Sequence, residues 1–239
     1  MPKLAAKPLQ NLGFKNLKAR QRKERETHSE SVALRVHRAL SWLGRAEAER
    51  NDPDAQFIFL WIAFNAAYAS GTEDPEMTEK RAFHAFLRAL LKLDTKGRFG
   101  YLVWQEFSGS IRVLLGNPYV FADFWRHQNG KLTASEWNTR FKSSRRAAEL
   151  ALAGGDTLLV LSIVFSRLYV LRNQLLHGGA TWNSAVNREQ VRDCANLLSK
   201  LVPAIIDVMM DHPAHEWGPA LYPVVRDTTE KVAVRATSK

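Results

Sequence analysis

The pattern of apolar and polar positions along the chain is helical almost throughout. Apolar residues recur at intervals of three and four, and no run alternates cleanly enough for a half-buried strand. Val32, Val36, Leu40 and Leu43 stripe one face of a helix predicted over about 29–50, which Ser29 or Ser31 can cap. Asn51-Asp52-Pro53 breaks it, and Pro53 is placed to open a second helix over about 53–69. That segment carries Phe57, Leu60, Trp61, Phe64 and Tyr68 and is apolar on nearly every face, which predicts burial all round. Six more helices are predicted over about 76–94, 98–115, 119–127, 134–153, 157–176 and 188–211, the last with Pro203 as a candidate kink. Thr133 and Glu136 form a capping box, Asp156 caps the helix after it, and Gly154-Gly155 and Gly178-Gly179 supply stops. The expected architecture is all-α, a single helical bundle of about seven to eight helices over 28–211. A Pro-containing, irregular tail follows over 212–239.

Composition agrees with a folded domain: 239 residues, 46% of them hydrophobic, are too apolar for a disordered chain. Charge adds an asymmetry. The 34 Lys and Arg against 24 Asp and Glu give +10, but residues 1–27 hold +6 of it and 28–225 only +2. The density peaks at Lys15–Arg25. One reading of this basic leader is an electrostatic arm for RNA, DNA or another anionic surface, and the other is a solvated helix start or solubilising tail. Whether it is flexible or folded stays open at this point. It has no apolar h-region, so it does not read as a secretory signal. The longest apolar stretches, Phe57–Ala69 and Thr157–Leu171, fall short of the ~20 residues of a membrane span and are interrupted by Asn65 and by Ser162, Ser166 and Arg167. The expectation is a cytoplasmic protein with no membrane partner. Cys194 is the one cysteine, which excludes an intrachain disulfide and fits a reducing compartment.

The usual catalytic inventory yields little. There is no glycine-rich phosphate loop and no HExxH helix. Glu47, Glu49 and Asp54 sit near a helix junction, where dipole and solvent account for them. His212, His215 and Glu216 have a spacing that suits a metal, but Pro213 and a predicted loop argue against a rigid ligand pair. Neither a metal nor a cofactor is expected. His37 and His84 stand singly, and Cys194 reads as a buried, inert thiol.

Leu171–Gly179 (LRNQLLHGG) stands apart. A helix-end reading is available: Arg172 and His177 meet the negative end of the dipole, and Gly178 caps. Yet with 21 Arg, 11 Asn and 7 His, Arg-Asn-x-x-x-His should occur by chance only about 0.03 times in such a chain. Asn173 and His177 are four apart and share a helix face, so the amide can orient the imidazole. Arg172 and His177 are five apart, about 140° on a regular helix. They converge only if the last turn loosens at the glycines, or if a second subunit supplies one of them. An arginine and a histidine without an acidic metal cluster suit metal-independent RNA cleavage. The imidazole moves a proton, and the guanidinium binds the phosphorane oxygens. The products of such a reaction are a 2′,3′-cyclic phosphate and a 5′-hydroxyl.

On these residues the chain resembles the HEPN superfamily, helical domains with an Arg-x4–6-His motif that often has a polar residue after the Arg. The likeness rests on Arg172, Asn173 and His177, on the helix FLWIAFNAAYAS (Phe59–Ser70), and on a loop and long helix after the motif. It covers about 53–70 and 157–211, and the helices between fit loosely. It implies an HEPN-like fold and a ribonuclease of toxin, antiviral-defence or RNA-processing type. It further implies a homodimer whose two motifs face each other across a cleft, and a possible cognate antitoxin or regulator. His177 is then the acid/base, Arg172 the phosphate and transition-state stabiliser, and Asn173 the orienter. Some HEPN domains instead bind RNA, a nucleotide or a protein without cleaving, and that alternative stands beside the first. A third is an interaction protein in which Arg172 and His177 only finish a helix. Candidate substrate contacts are Asn65, an amide inside an apolar helix that needs a partner if buried; Tyr68 and Trp182, which can stack a base; and the cluster Arg140, Lys142, Arg145 and Arg146. Core packing competes for Tyr68 and Trp182, and a solvated helix face for the arginines. Asn187 and Gln190 are candidates for lining the loop after the motif, with Asn187 otherwise a helix cap.

Overall fold

The local signals act where they stand. The Ser29 hydroxyl accepts from the Val32 N–H, Asp52 accepts from the N–H groups of Asp54 and Ala55 with Pro53 in the first turn, and Asp156 accepts from Leu159. The Thr133–Glu136 capping box is closed in both directions. A computed structural model describes residues 9–69 and 79–224. Among them lie ten α-helices and no strand: α1 (Phe14–Glu24), α2 (Glu30–Ala48), α3 (Pro53–Tyr68), α4 (Glu79–Leu93), α5 (Arg98–Tyr101), α6 (Ser108–Gly116), α7 (Ala122–Gln128), α8 (Ala134–Ala153), α9 (Thr157–Leu176) and α10 (Arg188–Asp211). The chain is all-α, as expected.

The stripe of α2 and the all-round apolar surface of α3 explain the centre of the fold. α3 lies against both α2 and α10, and its opposite flank meets α9. Phe57, Leu60 and Phe64 are removed from solvent almost completely, a burial that stabilises by about 1.5–3 kcal/mol per side chain. α10 is buried without interruption from Leu201 to Met210 and continues through Pro203. α9 packs on α3, α4, α6 and α8. It is 20 residues long, and an 18-residue window of it has mean hydropathy 1.3, enough by length and composition alone to cross a membrane, with 44% of that window buried inside the fold. Its buried face is Val160, Leu161, Val164, Phe165, Leu168 and Leu171, with Arg167 buried among them. Outside this centre, α7 and α8 pair through a separate aromatic cluster of Phe124, Trp137 and Phe141.

Three expectations change. The basic leader is not set apart from the body: residues 14–24 form α1, which packs on α2 and α10 with Leu17 buried. Charge patterning did not reveal this because the inward residues of α1 are few and partly polar. Gly44 makes room for it, since a Cβ there would stand 3.0 Å from the Phe14 ring. Second, 98–115 is not one helix. Residues 102–106 form a π-helical turn, with the Phe107 N–H bonded to the Leu102 carbonyl, between α5 and α6. Third, the start of the tail belongs to the fold. It is irregular, but Trp217 is buried and its carbonyl accepts from Arg35. The predicted start of the third helix at 76 lies outside the described residues.

Two buried arginines organise this centre. Arg35 has no carboxylate; it donates to the carbonyls of Ala67 and Tyr68 at the end of α3 and to those of Trp217 and Gly218. Burial lowers its pKa to about 10. Arg98, fully buried, meets Asp94 at 2.8 Å, Asp207 at 2.5 Å, and Asp211. Arg20 of α1 joins the same carboxylates, 2.6 Å from Asp207 and 3.0 Å from Asp211. Burial by itself would raise the Asp211 carboxyl, but hydrogen bonds from Lys96 and Arg98 outweigh it and hold the group below its ordinary value.

Candidate functional site

The end of α9 is built by its glycines. His177 is the C-cap, and its N–H bonds to the Asn173 carbonyl. Gly178 takes the left-handed conformation at φ +70°, and the Gly179 N–H returns to the Gln174 carbonyl. This is the Schellman closure, which a side chain at position 178 would strain. The helix therefore stays regular through Leu176 and releases the chain at His177, whose side chain is exposed.

Within one chain the motif residues divide. Arg172 Nη1 donates to Asn173 Oδ1 at 2.8 Å. Asn173 thus engages the arginine rather than orienting the imidazole as its four-residue spacing suggested. The two side chains are sequence neighbours, and the guanidinium is long enough to reach back. The His177 ring has no hydrogen bond to either. Among the described residues Arg172 meets no carboxylate and its Nε–H is enclosed without an acceptor; its guanidinium lies 5.8 Å from the centre of the Tyr169 ring. The loop after His177 is pinned to the start of α3. Trp182 Nε1 donates to Asp52 at 2.8 Å, the Asn183 N–H donates to Asp54, and Arg188 pairs with Asp54 at 2.6 Å. Asp54 is buried, so its role goes beyond the dipole and solvent reading.

Arg172 opens onto a cleft of about 960 Å³ between α3, α4 and α9. Asn65 and Tyr68 of α3, both taken from the sequence as substrate contacts, line the same cleft. The tertiary structure therefore joins Asn65 and Tyr68 to Arg172, which lies more than a hundred positions further along the chain. Phe64, Phe83, Phe165 and Tyr169 give it aromatic walls, and His84 and Arg88 of α4 add nitrogen-bearing side chains. No Asp or Glu is among its described lining residues. Asn65 is half-buried on the wall and makes no side-chain hydrogen bond.

The other predicted contacts lie elsewhere. Trp182 is 73% exposed and held by Asp52, away from the cleft lining. Arg140, Arg145 and Arg146 are on the exposed side of α8, the first paired with Asp123 and the second with Glu149. Asn187 sits at the N-cap position of α10, but in a left-handed conformation that takes its side chain out of capping reach. Gln190 accepts from Asn117 and lines a smaller cleft of about 630 Å³, where Arg188 and Arg192 mix with Glu189 and Asp193. His212 bonds to the Leu93 carbonyl and His215 lies against Trp217. The described residues contain no group of three side chains able to hold a metal ion. Cys194 is buried, and desolvation, with Asp193 nearby, pushes its thiol up. Sequence reasoning missed Arg88 and Tyr169 and read His84 only as a lone imidazole. Their one signal was spacing: His84 and Arg88 are four apart on α4, and Tyr169 stands three before Arg172. No protein-family model matches the chain, and neither a curated protein nor a solved structure is similar to it.

Proposed function

We propose that the protein is a metal-independent endoribonuclease of HEPN type, acting as a homodimer. The observation that carries this reading is the position of Arg172, a guanidinium with no carboxylate among the described residues, on the wall of an open, cation-bearing cleft, with His177 exposed five residues on. His177 exchanges the proton with the ribose 2′-hydroxyl or the 5′ leaving oxygen. Arg172 binds the non-bridging oxygens as negative charge gathers on them. Because His177 makes no hydrogen bond to Arg172 or Asn173 in its own chain, the second copy is the natural source of the imidazole that works beside Arg172. RNA is the partner, and a cognate antitoxin or regulator is compatible with the open cleft. Localisation in the cytoplasm accompanies this reading. The same separation of His177 favours a second reading, a non-catalytic module that binds RNA, a nucleotide or a protein at the cleft.

The test is cleavage of single-stranded and structured RNA in EDTA. Wild type should leave 2′,3′-cyclic phosphate ends, and His177→Ala and Arg172→Ala should each lose about 100-fold or more. Mixing the two inactive variants then asks who supplies the histidine. If the site is shared between subunits, random pairing restores one good site in half the dimers, about a quarter of wild-type activity. No cleavage by any protein, with RNA still bound, transfers support to the non-catalytic module.

A further inference from the structure

The cleft has two properties that call for different parts of one ligand. Its walls are aromatic. Tyr68 stacks on Phe64 with planes 8° apart, and Phe64 meets Phe165 at 4.7 Å. Tyr169 is backed by Trp61 at 6.1 Å while remaining 44% exposed. Its cationic side chains include Arg88 and Arg172, neither of which has an ion pair among the described residues. A plain anion has no use for the rings, and a neutral apolar ligand has none for the guanidiniums. A flat heterocycle joined to a phosphate uses both. At about 960 Å³ the space lies in the range that encloses small organic ligands.

The polar side chains narrow the choice further. The hydroxyls of Ser162 and Ser166 are spent on their own helix, bonded to the carbonyls of Leu158 and Ile163 at 2.7 Å. The Asn65 amide has no hydrogen bond among the described residues and lines the cleft, to which it offers one donor edge and one acceptor edge. Paired donor and acceptor groups are what every nucleobase shows on its edge. Tyr169 and Arg172 are three residues apart on α9, about 4.5 Å along the axis. A ring held on Tyr169 therefore fixes which phosphate reaches Arg172.

We infer that the α3–α4–α9 cleft receives one unpaired nucleobase of the RNA chain, stacked on Tyr169 and read at its edge by Asn65, with Arg88 on a neighbouring phosphate. This slot rests on the ribonuclease reading and gives it a source of base preference. It places Asn65 as the residue that determines specificity.

The full-length protein is tested in two arms. In the first, a pool of random single-stranded RNA is cleaved in EDTA and the cut positions are sequenced. In the second, binding of the four uncleavable 2′-O-methyl homopolymers is measured. One base should be favoured about tenfold or more at one fixed position beside the cut, and the homopolymers should show the same order. Asn65→Ala should collapse that ratio to about twofold or less, Asn65→Asp should change which base leads, and Tyr169→Ala should raise KM more than it lowers kcat. Unchanged circular dichroism in these variants keeps a folding defect from imitating the result. Cleavage without base bias, or with a bias that survives Asn65→Ala and Asn65→Asp, overturns the slot and leaves the ribonuclease reading standing. Base-selective binding that depends on Asn65, in a protein that cuts no RNA, upholds the slot and overturns the ribonuclease reading. Equal binding of all four homopolymers overturns the slot.

Discussion

Arg98 is fully buried against Asp94, Asp207 and Asp211, whereas on the α3–α4–α9 cleft Arg172 has the Asn173 amide and, among the described residues, no carboxylate. The two guanidiniums are chemically identical, and both sit close to α-helical ends. What separates them is their neighbours. Around Arg98 the fold supplies enough negative charge to offset desolvation, and the group joins α1, α5 and α10 into one unit. Around Arg172 the described residues supply aromatic faces, further cations and open volume, and no carboxylate. Arg35 is a third case: it is buried and has no carboxylate, but backbone carbonyls fill its donors, and it fixes the end of α3 that carries Asn65 and Tyr68.

The contrast can be broken by mutation. Asp207→Ala should cost about 3–5 kcal/mol in urea unfolding, because it leaves a buried guanidinium short of its counter-charge. Arg172→Ala in the same assay should stay within about 1 kcal/mol, since no ion pair is lost. Equal losses in the two variants would abolish the distinction.

Acid sharpens it with a smaller effect. The carboxyl of Asp211 lies below its ordinary value of 3.8 in the folded chain, so its contribution is complete above that pH and is lost as the pH falls toward the folded value. Stability should therefore decline below about pH 4, and Asp211→Asn should flatten that decline in acid-dependent urea melts. A slope unchanged by Asp211→Asn assigns the acid sensitivity to other carboxylates. The smallest expected effect is at the loop after the motif. Trp182→Phe removes one exposed hydrogen bond to Asp52 and should shift unfolding by less than about 1 kcal/mol, while lowering hydrogen-exchange protection in 178–187. A global loss of several kcal/mol there would mean that the loop, rather than the α3–α10 packing, holds the bundle.

Much of the architecture was legible in the chain because it depends on short-range rules. The stripe of α2, the Asp52-Pro53 start of α3, the Thr133–Glu136 box and the Gly178-Gly179 stop each act within a turn of where they are written. Misreadings arose where the partner was distant. The packing of α1 was not legible because its anchors, Asp207 and Asp211, lie 187 and more positions away. The segment 98–115 looked continuous because a π turn changes one hydrogen-bond register without a change in polarity. Half of the proposed site was similarly local: Arg172, Asn173 and His177 are a written motif, although neighbouring side chains decided that Asn173 would serve the arginine.

The sequence by itself determined the helical class, most helix boundaries and the presence of an arginine and a histidine at one helix end. Periodicity, capping and glycine stops are properties of consecutive residues. Only the tertiary structure decided that Asn65 and Tyr68 share a cleft with Arg172 while Trp182 and the α8 arginines do not, and that Arg88 and Tyr169 belong there. Which faces of α3, α4 and α9 meet, and which charges they leave unpaired, follows from how all the helices divide one buried core, and no local stretch of chain contains that information.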